Sequence, residues 1–441
     1  MSDSKYKWLL LGLLSCTFFF HQADRALFGL LTIPIQNELH LTDVQIGWIN
    51  TVLSWTLAGM AFIAGPIGDR FSRKWLITCS LIAWSMMTFM MGFVGDWRIF
   101  GFVIPAFFVV MFFRSIATGV GESFYGPCYP PLISSYHKET RSIALSIHQG
   151  ALYFGLMTSG VITAWALGLL GSWRHVFMVF GAAGFALGVS FIWILKDVRR
   201  ETQDERRKTK DGPGLLAGFK VFFATPTAYL SMAGFIAIVF VNNAYLFWAP
   251  KFMAEKFAGH YEQLLGVSAG TAEGMKAIVG AAGQQAMLYH HLFAFVAIIL
   301  GGILTDWMVK KMPRFRLALQ TLALVAGAPC LYLTGFAPTL VVMVVMTSAY
   351  GICRGLCEVN THATLFDVIA PAYRSTAVGI FTVFAFFFGG LSGVLMGALS
   401  EKYGVRGFEI GFSVMGASYL IGALLTMIAF LFTFKKNRIT E

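Results

Sequence analysis

Twelve stretches of this chain are each long enough and apolar enough to cross a bilayer, and no other feature constrains the fold as strongly. A spanning helix needs about 20 apolar residues. The stretches cover roughly 8–33, 44–67, 75–94, 99–126 (continuing irregularly to 136), 142–170, 175–195, 228–248, 287–305, 316–335, 338–366, 375–399 and 408–434. In hydrocarbon every backbone N–H and C=O needs an internal partner, so runs of this length are expected as helices. Only 12% of the 441 residues are charged, against about 25% in soluble domains. The expected class is an all-α polytopic membrane protein with twelve transmembrane helices. An even number of spans puts both termini on one side.

The distribution of cations picks the side. The net charge of +11 does not require nucleic acid, because Lys and Arg collect in cytoplasmic loops of membrane proteins. Of 33 basic residues, 23 fall in segments on the side of the termini and 7 in the opposite loops, which predicts cytoplasmic termini. The one long hydrophilic segment, 196–220, is read as a cytoplasmic linker between a bundle of six helices, 1–195, and a second of six, 221–441. Residues 252–283 are expected as a long outside loop, and Ala272–Ala286, overlapping its end, as a short surface helix. The six cysteines and nine histidines form neither a disulfide framework nor a metal motif. No His-Glu-x-x-His, Gly-x-Ser-x-Gly or phosphate-cradling glycine loop occurs, so no catalytic residues are assigned and an enzyme is not expected. His290-His291, at the start of the eighth stretch, is expected at the membrane interface.

A short motif appears twice. Gly65-Pro66-Ile67-Gly68-Asp69-Arg70-Phe71-Ser72-Arg73-Lys74 lies between the second and third stretches. It returns, degraded, at Gly302–Lys311, with Asp306, Lys310 and Lys311 at a constant offset of 237 from Asp69, Arg73 and Lys74. A glycine, an acid and a basic pair at one spacing in two halves indicate an internal repeat. In a membrane protein that arrangement predicts two bundles rocking about a central site.

Ionisable groups inside hydrocarbon are costly and mark cavities or pairs. The first stretch carries Asp24 and Arg25, which on a helix point about 100° apart, so at least one needs a partner from another helix. The fourth carries Arg114 and Glu122, separated by about 12 Å of rise and unable to touch. A carboxylate in such a setting is suited to carry a proton, which assigns Asp24 and Glu122 as proton-coupling acids. The alternative is a fixed ion pair that orders the bundle. On the tenth stretch Arg354 and Glu358 are spaced to pair along one face, with Asn360, His362 and Asp367 beyond. Arginine holds carboxylate and phosphate by two parallel hydrogen bonds. Arg25, Arg114 and Arg354 therefore point to an anionic or zwitterionic solute, with Glu358, His148, Gln149, Asn242, Asn243 and Tyr245 as further candidate binding residues or helix bridges.

At Gly65–Lys74 the chain resembles the major facilitator superfamily, with Ser72 where that family usually has glycine. The resemblance covers the whole chain. Asp24-Arg25, Gly119-Val120-Gly121-Glu122-Ser123-Phe124-Tyr125 and Arg374-Ser375-Thr376-Ala377 are similar to the spinster branch, with the organic anion symporters second. The resemblance implies the major facilitator fold of two six-helix bundles and alternating access. It also implies a proton-linked acid at Asp24 coupled to Arg114, and a cytoplasmic gate at Gly65, Gly68, Asp69, Arg70, Arg73 and Lys74. The fifth stretch lacks the Gly-Pro pair usual in drug/proton antiporters. The expectation is proton symport of a small organic anion, such as a sugar acid or carboxylate. The alternative is spinster-like transport of lysophospholipid or sphingoid amphiphiles. No cofactor beyond the proton motive force is expected. The expected setting is a monomer in contact with membrane lipid in a bacterial inner membrane.

Overall fold

A computed structural model describes residues 3–137, 139–196 and 215–439, with the backbone alone at 3, 4, 65, 66, 69, 70, 142 and 215. Most of the linker assigned at 196–220 thus lies outside the described residues; its last part is helical, within Leu215–Ala224. Eleven helical segments among the described residues are long and apolar enough to cross a membrane. The first helix, Asp3–Leu30, has the length of a twelfth. Its polar run His21, Gln22, Asp24 and Arg25 interrupts the apolar sequence.

Helix ends follow local chemistry. Thr42 and Gln45 form a reciprocal capping box at the start of Asp43–Arg70, at 3.2 and 3.0 Å. Ser72, the departure from glycine in the repeated motif, caps Arg73–Met90 by accepting from the Trp75 N–H at 3.4 Å. Arg141–Leu170 stops at Gly171, whose φ of +72° suits glycine. Trp97–Ile99 and Phe102–Ile104 pair as a small antiparallel ribbon, turned by Phe100 and Gly101 at φ +49° and +82°. The fourth membrane segment therefore starts at Ala106 and not at 99. The eighth departs further. Ala272–Val309 is a single 38-residue helix, so no separate surface helix exists at 272–286.

The chain packs as two compact units, Met1–Arg207 with Leu246–Leu288, and Lys208–Tyr245 with Tyr289–Glu441. In the first, Leu10, Leu14, Ile77, Leu81, Trp84 and Leu132 form the apolar core. In the second, Phe222, Met232, Leu317, Leu365, Phe381 and Phe434 do so. Lipid tails are as apolar as leucine, so helices hold together by close packing at small residues. Gly181 on Trp173–Ile194 is one such place: a Cβ there would come within 2.7 Å of Phe89 Cα. Gly12, also in a helix, faces open space.

The same substitution is therefore expected to have opposite signs at these positions. Gly181→Ala should lower the detergent melting temperature, by overpacking worth about 1–3 kcal/mol. Gly12→Ala should be neutral or stabilising, by up to about 1 kcal/mol. A thermal-shift comparison of the two purified variants checks both.

Candidate functional site

In the first unit buried charges converge from two membrane segments, and a third helix adds the Thr88 hydroxyl. The fourth membrane segment is not uniformly α-helical: Met111–Ala117 is a π turn, followed by Thr118–Glu122. Such turns widen the helix by one residue and occur often at functional sites. Thr118 Oγ1 donates to the Phe113 carbonyl at 2.7 Å, satisfying backbone that the wider turn loosens. Arg114 sits inside this turn, 2% exposed. Its Nη1 is 3.6 Å from Asp24 Oδ2, and its Nη2 donates to the Arg25 carbonyl at 3.0 Å. Thr88 Oγ1 donates to Asp24 Oδ1 at 3.1 Å. The partner that Asp24 needed thus comes from another helix. The pair is loose: Asp24 Oδ2 has no hydrogen-bond donor among the described residues. Arg25, half-buried, has no carboxylate within 4 Å among them.

Glu122 pairs with a different group. His21 Nε2 lies 3.2 Å from Glu122 Oε2, close but not aligned as a hydrogen bond. The Gln22 amide donates to His21 Nδ1 at 3.0 Å, which puts the imidazole proton on Nε2, facing the acid. Two buried acids therefore each face one cation or potential cation and have oxygens free to take a proton. His148 lies next to this group within an aromatic stack, 4.5 Å from the Phe18 ring and 4.1 Å from Tyr129. Tyr125 Oη donates to the Leu14 carbonyl at 2.8 Å, so His148 Nε2 donates to Tyr125 at 3.0 Å. Gln149, one residue on, is exposed.

The second unit has its own charged cluster. Arg354 Nη2 is 3.3 Å from Glu358 Oε2, the spacing that the sequence offered. Arg354 Nη1 donates to His290 Nε2 at 3.2 Å, and His290 Nδ1 donates to the Thr347 carbonyl at 3.3 Å. His290 is fully buried, stacked on Tyr350 at 5.0 Å, with the tilted Tyr245 ring 4.4 Å away. The expected interfacial position of His290-His291 is thus corrected. The helix begins at Ala272, so residue 290 falls in its middle. The tenth helix comes close at this level, and a Cβ on Gly351 would strike the His290 carbonyl. Asn243 is buried and Asn242 half-buried, whereas His362 is exposed. Asp367 takes two hydrogen bonds from Arg316, at 2.7 and 2.8 Å.

Sequence reasoning also missed Lys251. It falls beyond the seventh stretch, 228–248, yet lies on the continuous helix Pro226–Lys256, 7% exposed. There it pairs with Asp43, donates to Gln36 Oε1 at 2.8 Å and lies 3.5 Å from Glu255. The Lys251–Glu255 spacing along the helix was the available signal. In the repeated motif, Gly68 is buried against Cys128, and Lys74 Nζ donates to the Ile192 carbonyl at 2.8 Å. Arg73 is half-buried; Gly65, Asp69 and Arg70 are described by their backbone alone. Asp306, Lys310 and Lys311 are exposed, with Lys311 over the Trp307 ring at 4.1 Å.

A profile of the Major Facilitator Superfamily matches residues 13–290. The chain belongs to this superfamily. Its relatives include the "Probable galactarate/D-glucarate transporter GarP" of Escherichia coli (strain K12), 24% identical over 97% of this chain and 94% of that protein. They also include "Protein spinster" of Drosophila melanogaster, 25% identical over 91% of this chain and 63% of that protein. Among solved structures, a bacterial homologue of the human lysosomal transporter Spinster, inward-facing and unoccupied, superposes with a TM-score of 0.75. It is 18% identical, with 99% of each chain covered. A D-xylose-proton symporter gives 0.71 at 16% identity, covering 99% of this chain and 100% of that one. The fold is the major facilitator fold of an integral membrane protein. The family and these relatives are transporters, not enzymes, and the chain resembles the spinster-like branch.

Breaking the Arg114–Asp24 pair from one side should cost about 3–5 kcal/mol, because a buried charge is stranded. Arg114→Gln is expected to melt well below the parent. Adding Asp24→Asn should recover part of the loss. A double-mutant cycle on melting temperatures in detergent checks this; additive losses would mean that the two groups are not coupled.

Proposed function

We propose that this protein is a proton-coupled symporter of a small organic anion, a sugar diacid in the first instance, working by alternating access between two six-helix bundles. The observation that carries the reading is the loose buried pair of Arg114 with Asp24, 3.6 Å apart and joined by no aligned hydrogen bond. Protonation of Asp24 removes the charge that holds the guanidinium and frees Arg114 for a substrate carboxylate. Loss of the proton recaptures it, so substrate and proton move together. Glu122, beside His21, is the second proton-linked acid. Arg354 with Glu358 and His290, together with Asn242, Asn243 and Tyr245, contributes polar groups from the other half of the repeat.

The substrate class is supported by the galactarate/D-glucarate relative, which aligns over nearly its whole length. The proton motive force supplies the driving energy. The excess of cations on one side supports cytoplasmic termini in a bacterial inner membrane. The Gly65–Lys74 motif and its copy at Asp306, Lys310 and Lys311 serve the cytoplasmic gate in this reading. A second reading, transport of a lysolipid or sphingoid amphiphile, rests on the spinster relatives. One of these, from Danio rerio, is named a sphingosine-1-phosphate transporter.

Proteoliposomes loaded with a pH dye separate the two. Galactarate or glucarate is expected to acidify the lumen of vesicles holding the parent protein. Asp24→Asn and Arg114→Lys should each lower the initial rate about tenfold or more, Lys lacking the planar fork that meets a carboxylate. Transport of lysophospholipid alone would establish the second reading. Diacid uptake with no proton signal, and normal in Asp24→Asn, would remove the coupling mechanism.

A further inference from the structure

One charged feature of the second unit extends beyond the transport reading, which uses only Lys311 among its cations. Where the Ala272–Val309 helix turns into Phe315–Gly335, and where the last helix ends at Phe434–Asn437, a pocket of about 320 Å³ opens. Lys311, Arg314, Lys435 and Arg438 line it, and its lining contains no carboxylate. Its size lies within the ~300–1,000 Å³ range of small-molecule sites.

The cations are placed but not neutralised. Arg314 stacks over the Phe430 ring at 4.6 Å and Lys311 over Trp307 at 4.1 Å. These contacts orient the groups while leaving their N–H donors available. None of the four has a carboxylate within 4 Å among the described residues. The neighbouring acid, Asp367, is already taken by both hydrogen bonds from Arg316. Four like charges around one pocket repel each other, and an anion there relieves the repulsion.

The surroundings identify the anion's carrier. The pocket lies at the end of Val405–Asn437, one of the membrane-spanning segments. One turn before Lys435, Leu431 is 49% and Phe432 66% exposed. Apolar side chains open to acyl chains, followed directly by a cation cluster, match a lipid whose phosphate is held at the helix end and whose tails lie along the helix. A soluble phosphate would use the cations and leave the apolar strip without purpose.

We infer that Lys311, Arg314, Lys435 and Arg438 form a binding site for the phosphate headgroup of an anionic phospholipid. The site is separate from the solute-binding residues and shares only Lys311 with the gate. The full-length protein in neutral detergent, titrated with phosphatidylglycerol and followed by native mass spectrometry, tests it. Phosphatidylcholine, whose zwitterionic headgroup carries no net charge, is the control, and inorganic phosphate and glycerol phosphate are the soluble arms. The parent should bind phosphatidylglycerol in preference to phosphatidylcholine. Lys435→Ala with Arg438→Ala should weaken that binding about thirty-fold, from the loss of two surface cations. Lys435→Arg with Arg438→Lys should keep it. Lys402→Ala with Arg406→Ala, which removes two exposed cations from another helix end, should change it by less than about threefold. Equal losses in the two alanine pairs would reduce the effect to net charge and overturn the site. Saturation by soluble phosphate, with no gain from acyl chains, would overturn the assignment to lipid.

Discussion

The cost of holding a charge away from water governs this structure. A charge in hydrocarbon must find a partner, and on a helix its sequence neighbours point elsewhere. Asp24, Glu122 and Arg354 accordingly each meet a group from a second helix at a particular height. Asp24 on the first helix needs Arg114 and Thr88; Glu122 needs His21; Arg354 needs Glu358 and His290. The glycines that permit close approach, such as Gly351 against His290, let the polar contacts form.

The arrangement is incomplete in a way that suits work. Arg114 satisfies itself with a backbone carbonyl while its carboxylate partner stands off at 3.6 Å. Fixed structural pairs in the same chain look different. Arg316 grips Asp367 with two bonds at 2.7 and 2.8 Å, and Arg174 meets Glu38 at 2.7 Å. Both Arg316 bonds come from one nitrogen, Nη1, shared between the two carboxylate oxygens, so the contrast with Arg114 lies in the short, aligned contact and not in the number of donors used.

Much of this was legible in the sequence, for identifiable reasons. Long apolar runs announce helices because hydrocarbon leaves the backbone no other option. Asp24, Arg114, Glu122 and Arg354 stand out for the same reason: a charge inside such a run is conspicuous. What pairs with them was less visible. Thr88 and His21 are unremarkable as letters, and contacts between helices leave no local pattern. His290 and Lys251 were misplaced because hydropathy ends a helix where polar residues begin, although Ala272–Val309 and Pro226–Lys256 run on past that point. Ser72 was visible as a departure from glycine, but its use as a helix cap depends on backbone geometry that composition does not carry.

The π turn at Met111–Ala117 has a geometric consequence for everything after it. An α-helix returns to the same face every 3.6 residues, and a π turn absorbs one residue more. Thr118–Glu122 is therefore out of phase with Ala106–Val110 by about one residue's rotation, roughly 100°. Arg114 lies inside the phase shift and Glu122 just beyond it. The azimuths of the two groups are set by this single extra residue, much as the teeth of two keys cut from one blank differ by a turn of the blank. In this segment a one-residue insertion or deletion is a rotation before it is a change of length.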